Sequence, residues 1–459
     1  MQKYLFFLLF FLYACSSNSD AESIPSDDNL TIETVTTTSI EEQQEVKNDY
    51  NFELPYDHTY FEFEGCNSFM GNDLPVECGL SPEVIESIEF NGSVTNIEFF
   101  NDFYFVVLKN GRIVKYNPTD KSKEIVLDIS NNVLQQGIEN GLLSLAIDKK
   151  NSEFVISYVD LQNNLNFEIF KFDEDLTNVI NKETLLSIES KTNSHYGGKV
   201  IWSEYYQCFL GSIGDLKEAN FESRSDSDSL NTTKYNGKIL GLNCADLRTS
   251  TPVLDTQDSK PLENLIATGL RNPWQFLEFK DYLIVFDTGF TQNEELNVTK
   301  YENITKTFGW PVFEATKRSE DLDNILNYSL DISLWSDGEK SAFDYIYENS
   351  VKPVVYYNHY ACESDNQNCD GNSDIYRAAI IGGDILSDPN SPYNFDIFFA
   401  DFLSQELFSY NLVEGDLKIY NLEDVSYINV VKVLDSKTNK IIVGTDTGYL
   451  KILQLKLDN

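Results

Sequence analysis

The sequence predicts an all-β chain closed into a radial array of blades, a β-propeller, and three observations carry that reading. Short β runs divided by turn signals follow one another from Glu83 to Leu457. Sustained helical periodicity is scarce, with Asp321 to Tyr328 the one short candidate. No long break divides the run of strands, and closure removes the exposed edges that an open sheet of this length would carry.

Taken in order, the chain opens with Lys3 and a short apolar run, Tyr4 to Tyr13, shaped like the core of an export signal and too short to span a bilayer. Leu12-Tyr13-Ala14-Cys15 follows and resembles a bacterial lipobox, so residues 1–15 are expected to be a lipoprotein signal with Cys15 the lipidated residue. That places the protein outside the cytoplasm, periplasmic or at the cell surface. Its contact with the membrane would be through the lipid anchor alone. Residues 16–49 are polar, acidic and without aromatics, a composition that cannot bury a core and reads as a disordered linker. Residues 50–82 bring Phe52, Tyr56, Tyr60, Phe61 and Phe63 beside Cys66 and Cys78, a small stapled collar before the propeller at 83–459.

Within the propeller, Thr95 to Phe100 and Phe103 to Leu108 lead to Asn110-Gly111, a favoured hairpin turn, and then to Arg112 to Tyr116. Similar runs cover Glu124–Ile129, Glu153–Val159, Asn166–Phe172, Lys199–Trp202 and Gln207–Ile213. Further runs are Trp274–Phe279, Tyr282–Phe286, Asp396–Ala400, Glu406–Leu412, Ile428–Leu434, Lys440–Thr445 and Tyr449–Leu457. Strand texture alone does not fix the blade number. Besides Cys15 there are six cysteines, an even number that suits disulfides in an exported chain. Fifteen pairings are open in principle; proximity favours Cys66–Cys78 and Cys362–Cys369, leaving Cys208–Cys244. Metal binding is the weaker alternative, because no Cys-x-x-Cys pair occurs.

The stretch that organises the rest is Asn193-Ser194-His195-Tyr196-Gly197-Gly198-Lys199, with one of only three histidines. Its glycine pair allows a sharp turn and is expected to leave the imidazole uncovered at a strand entrance. Other stretches stand out from plain strands. They are Glu139-Asn140-Gly141-Leu142-Leu143-Ser144-Leu145-Ala146, Asn236-Gly237-Lys238-Ile239-Leu240, and Gly269-Leu270-Arg271-Asn272-Pro273-Trp274. After them come Asp287-Thr288-Gly289-Phe290 with Glu294-Glu295, Phe308-Gly309-Trp310-Pro311 and Ile381-Gly382-Gly383.

In this order the motifs resemble the glucose/sorbosone dehydrogenase family: quinoprotein aldose dehydrogenases and the hedgehog-interacting-protein-like branch. The resemblance spans Glu83 to Leu457 and implies a six-bladed propeller. It further implies pyrroloquinoline quinone and Ca²⁺ at the propeller mouth. His195 would then be the base that takes the proton of the sugar's anomeric hydroxyl. Arg271 would hold the quinone's oxygens and stabilise its reduced form. Asn272, Lys199 and Arg377 are further candidates for the cofactor. The carbonyls of Gly289 and Phe290 match the family's calcium position, with Asp287, Glu294 and Glu295 near in sequence to add charge or order the loop. His359 reads as a rim residue; His58 lies outside the resemblance.

Departures from the pattern matter too. No arginine follows Arg377, where soluble members place basic residues on the cofactor. Ser194 stands where some members have an acid to orient the histidine.

Charge limits the partners. With 74 acidic and 34 basic residues the formal charge is −40, which argues against nucleic acid and against anionic lipid headgroups. The leading expectation is therefore a lipid-anchored sugar oxidoreductase passing electrons to an unidentified acceptor. The alternative is a non-catalytic propeller that binds a glycan or a partner protein. A calcium-dependent lactonase ranks last, since no ring of carboxylate and amide ligands is evident.

Overall fold

The computed structural model describes residues 61–63, 76–217, 228–245, 247, 262–290, 293–303, 307–315, 317–318, 339–358, 377–425 and 427–456. Cys15, Cys66, Cys362, Cys369, His58, His359 and the helical candidate Asp321–Tyr328 lie outside them, as do the signal and linker segments. The one α-helix among the described residues is Glu339–Glu348.

Six antiparallel sheets of four consecutive strands make up the ring, the last completed from the other end of the propeller segment. Blade one runs Val94–Phe100, Phe103–Leu108, Arg112–Tyr116 and Lys123–Asp128. Blade two runs Leu142–Asp148, Glu153–Val159, Asn164–Phe172 and Val179–Glu189. Blade three is Gly197–Ser203, Cys208–Ile213, Lys238–Leu242 and Leu265–Thr268. Blade four is Gln275–Phe279, Tyr282–Asp287, Asn293–Lys300 and Pro353–Asn358. Blade five is Ile380–Ile385, Asp396–Asp401, Glu406–Asn411 and Leu417–Asn421. Blade six takes Ile428–Asp435, Lys440–Thr445 and Tyr449–Gln454 from the C-terminal end, and Glu83–Glu89 completes it as the outer strand.

The hairpins follow from turn chemistry. Asn101 and Asp102 both adopt positive φ (49° and 64°), the pair of left-handed residues that matches the twist of a two-residue hairpin. At the predicted Asn110-Gly111 turn the Gly111 amide donates to the Leu108 carbonyl at 3.0 Å. Alternation then sets the faces, and each face of a blade meets its neighbour. One apolar cluster fills each of the six interblade seams, running from the blade-one/blade-two seam round to that between blades six and one. Between blades one and two, Phe154 stacks on Phe172 at 4.2 Å and Phe105 meets Phe172 at 5.1 Å.

The segment expected to form a collar joins the ring directly. Phe61–Phe63 pairs parallel with Pro353–Asn358 as a fifth strand of blade four, and Val76–Leu80 pairs parallel with Leu417–Asn421 on blade five. Cys208–Cys244 is a disulfide, as expected, pinning the second strand of blade three to the segment after the third. Cys78 is also disulfide-bonded. No described helix is long and apolar enough to cross a membrane.

Candidate active site

The inner strands of blades three and four start at one end of the ring, and the peptides that lead into them carry the site. His195 precedes the strand Gly197–Ser203 and has a left-handed φ of 55°. Gly197 and Gly198 continue at φ 63° and 83°, so three of four residues are left-handed as the chain enters the sheet. Across from it Gly214 has no room for a side chain: a Cβ there would lie 2.0 Å from the His195 carbonyl oxygen. That contact brings Asp215 alongside the imidazole.

The imidazole is held at both nitrogens. Nδ1 lies 2.8 Å from Asp215 Oδ1, and Nε2 lies 2.9 Å from Arg271 Nη2. A guanidinium has only donors, so Nε2 accepts and the ring proton sits on Nδ1, facing the carboxylate. Asp215 is fixed in turn by the Trp310 indole N–H (3.0 Å) and the Lys217 amide (3.1 Å). Burial acts to raise the Asp215 carboxyl, but His195, Arg271 and the Lys217 amide together hold it below the ordinary aspartate value. The His195 amide donates to Glu139 Oε2 at 2.5 Å. Asn272 links the two walls: its Oδ1 accepts from the Gly197 amide (3.0 Å) and its Nδ2 donates to Glu139 (3.4 Å).

His195 was expected to stand uncovered, and here the structure corrects the sequence reading. Its side chain is 5% exposed, because Asp215, Arg271 and the Gly214 backbone close over it. The orienting acid absent at Ser194 is supplied by Asp215, twenty residues on. The only sequence signal for it was that the strand ending at Ile213 runs into Gly214-Asp215.

Arg271 is buried between Phe290 and Trp310, its Cζ 5.3 and 5.6 Å from the two ring centroids. Nη1 donates to the carbonyls of Thr288 (3.0 Å) and Gly289 (2.5 Å), and Nε is buried without a partner. The Gly289 carbonyl expected to face calcium thus already faces a cation. Asp287, Glu294 and Glu295 are strand residues rather than loop acids. Asp287 accepts from the amides of Arg271 (2.9 Å) and Asn272 (2.8 Å). Glu294 accepts from those of Ala379 (3.1 Å) and Ile380 (2.9 Å). Glu295 accepts from the Ala315 amide and from Asn297 Nδ2 (3.1 Å). Burial raises the Asp287 carboxyl; burial and then the Asp287 charge raise that of Glu295. These carboxylates brace backbone, and among the described residues no three acids, histidines or cysteines gather as a metal cage. The Gly289 carbonyl and the three acids are therefore already engaged by the chain's own donors.

Of the other cofactor candidates, Arg377 is buried and forked onto Glu406, Nε to Oε2 at 2.8 Å and Nη2 to Oε1 at 3.0 Å. It is thereby committed to Glu406, since opening a buried pair costs about 3–5 kcal/mol. Lys199 does not join His195 either; the charges acting on it are Lys432, Glu98 and Asp384.

A cavity of about 90 Å³ opens at this end of the ring, and Glu139, Asn272 and Thr288 form its wall toward the buried site. Trp274, Ile381 and Phe402 give it an apolar lining, while its charged groups are Lys109, Glu139 and Asp446. Lys109 already donates to the carbonyls of Gly137 (2.8 Å) and Ile138 (2.7 Å).

Solved structures share this architecture. The soluble aldose sugar dehydrogenase of Escherichia coli, in its apo form, matches with a TM-score of 0.57 and 14% identity, over 82% of this chain and 99% of that one. A glucose dehydrogenase matches at 0.56 and 13%, over 82% and 100%. A Thermus thermophilus oxidoreductase described as a glucose dehydrogenase matches at 0.54 and 15%, over 82% and 100%. No family sequence model and no curated protein matches the chain. At these identities the likeness establishes the six-bladed fold, the one implied by the motifs, and its neighbours are sugar dehydrogenases.

Proposed function

We propose that the protein is a quinone-dependent oxidoreductase of sugars, taking aldoses at the anomeric carbon. The observation that carries this is the His195 imidazole, held with its basic nitrogen toward a buried guanidinium beside an axial cavity. The residues fit the reacting end of pyrroloquinoline quinone. Arg271 keeps an unpartnered buried Nε, and Asn272 lines the cavity. Arg271 and Asn272 would hold the group, with Lys109 nearest in charge for a carboxylate. When bound, the quinone supplies a two-electron hydride acceptor.

The chain's own contribution is a proton acceptor and its alignment. His195 Nε2 takes the proton of the sugar hydroxyl once that hydroxyl replaces the Arg271 contact. Asp215 stabilises the imidazolium that forms, and Trp310 keeps the carboxylate in line. Arg271 then faces the oxygen on which charge develops.

The test is to titrate purified protein with the quinone, with and without Ca²⁺, and follow dye reduction over a panel of aldoses. His195→Ala is expected to lower turnover at least about a hundredfold. Turnover equal to wild type would refute the assigned base. The charge that the described residues give the mouth favours a second reading: one lysine against two carboxylates suits a neutral glycan better than a tricarboxylate. Saturable glycan binding with no quinone bound would establish that non-catalytic role. Anchoring through Cys15 completes the proposal; Cys15→Ser is expected to abolish palmitate incorporation and release the protein from membranes.

A further inference from the structure

Three charged side chains line the axial cavity, and they come from neighbouring parts of the ring. Lys109 follows a strand of blade one, Glu139 precedes the first strand of blade two and Asp446 follows a strand of blade six. Lys109 feels the charge of both acids, so it stands near each. Its ammonium is committed to the carbonyls of Gly137 (2.8 Å) and Ile138 (2.7 Å). Two carboxylates against one ammonium leave one negative charge among the described lining residues. The carboxylates also keep acceptors to spare. Glu139 Oε2 accepts from the His195 amide (2.5 Å) and from Asn272 Nδ2 (3.4 Å), and no described donor reaches Oε1. Asp446 is exposed; its Oδ1 accepts from the Ser93 hydroxyl at 2.7 Å, and no described donor reaches Oδ2.

The rest of the wall is aromatic. Trp274 packs against both the blade-two/blade-three seam and the blade-five/blade-six seam, so its side chain lies across the axis. Phe402 lines the cavity, and its ring lies 5.3 Å from that of Tyr427, which is 42% exposed. The Tyr427 carbonyl accepts from the Asp446 amide at 2.9 Å, which fixes this pair of rings beside that carboxylate. Carboxylates set among aromatic rings are surroundings that favour an ammonium. The acids offer it charge-assisted hydrogen bonds, and the rings add a cation–π attraction. The formal charge of −40 on the whole chain adds a field that draws cations.

Resting on the reading that the mouth takes a sugar, we propose that it selects a cationic one, a 2-amino-2-deoxyaldose. In such a sugar C2 adjoins the anomeric carbon, so the ammonium stands beside the hydroxyl that meets His195. Glu139, bonded to the His195 amide, is the carboxylate on that side of the cavity. Asp446 supplies the second negative charge from the exposed rim. A neutral aldose finds the same walls but leaves both carboxylates without a counter-charge. An N-acetylated sugar loses the charge and adds bulk, so it gains nothing from them.

The experiment is calorimetric titration of the full chain, with and without the quinone, using glucosamine, glucose and N-acetylglucosamine. It is run at about pH 6, where an amine of the α-amino type, pKa ~7.7, is charged. Glucosamine is expected to bind at least about tenfold tighter than glucose in low salt, and N-acetylglucosamine no tighter than glucose. Salt at about 0.5 M should cut the glucosamine-to-glucose ratio at least about threefold, because the rim is open to solvent. Glu139→Gln and Asp446→Asn are each expected to lower that ratio by a similar factor. The salt series needs no variant, so a poorly folding one does not decide the question. Glucose binding as tightly as glucosamine overturns the proposal and leaves the sugar reading standing. So does a preference that salt, or both substitutions, leave intact. If none of the three sugars binds, the sugar reading falls and the selection falls with it.

Discussion

His195 is fixed at both ring nitrogens, so either partner can be changed while the ring stays in place. Asp215→Asn keeps the shape of the side chain but removes the charge that would stabilise an imidazolium. The expected result is about a hundredfold loss in kcat with little change in KM, read from steady-state dye reduction. Arg271→Lys exchanges a planar fork that reaches Thr288, Gly289 and His195 for a single ammonium. There the expected loss includes weaker quinone binding, measured by titration. The histidine, the arginine and the asparagine beside it were legible because a small polar motif interrupts an apolar run. Asp215 was not. Its role depends on a backbone contact at Gly214 that only the folded chain reveals.

At the scale of elements, strands were easiest to read where a short aromatic and β-branched run is bounded by turn residues, as in Phe103–Leu108 and Tyr282–Asp287. The inner strands Leu142–Asp148 and Ile380–Ile385 were met in the sequence as motifs. Leu142–Asp148 is buried throughout and the first half of Ile380–Ile385 is buried, so neither shows a clean polar face, and Ile381 lines the mouth. Glu294 and Glu295 were read as adding charge or ordering the loop, and the partners they have inside the blades are backbone amides. A carboxylate that binds backbone amides inside a blade looks, in sequence, like one free to bind a cation.

These buried ionisable groups give the blades a distinctive pH response. Burial pushes the Asp401 carboxyl up to about 7, and Asp287 and Glu295 shift the same way. Their native forms hold protons more tightly than the unfolded chain. Stability from them is full below about pH 4 and is lost as the pH rises to about 7. Lys238 is fully buried, donating to the carbonyls of Ser229 (2.7 Å) and Asn236, and burial pushes it down to about 7. Here the unfolded chain holds the proton more tightly, so stability is full above about pH 10.5 and is lost as the pH falls to about 7. Both limbs descend toward neutrality. Melting temperature is therefore expected to be lowest near pH 7, rising toward about pH 5.5 and about pH 9 in scanning calorimetry. Asp401→Asn should flatten the acid limb and Lys238→Met the alkaline one. A single maximum at neutral pH would contradict the assignment.

For the molecule as a whole, a closed propeller was legible from the unbroken run of short strands, whereas the strands that close it were not. Nothing local in Glu83–Glu89 announces that it pairs with Tyr449–Gln454, or that Val76–Leu80 lies parallel to Leu417–Asn421. Such pairings are set by ring geometry, with partners more than three hundred positions apart. Deleting residues through Glu89 leaves blade six with three strands and an unpaired edge. The expected outcome is a melting temperature lower by at least about 10 °C and concentration-dependent aggregation by light scattering. Reducing Cys208–Cys244, which closes a separation of 36 residues, should cost about 3–4 kcal/mol at most.

The shared last blade also governs when the chain becomes a finished molecule. A ribosome releases Glu89 long before Gln454, so the ring stays a broken circle until the last blade's hairpin has been made. The final hairpin thereby acts as the clasp that turns an open row of blades into a ring.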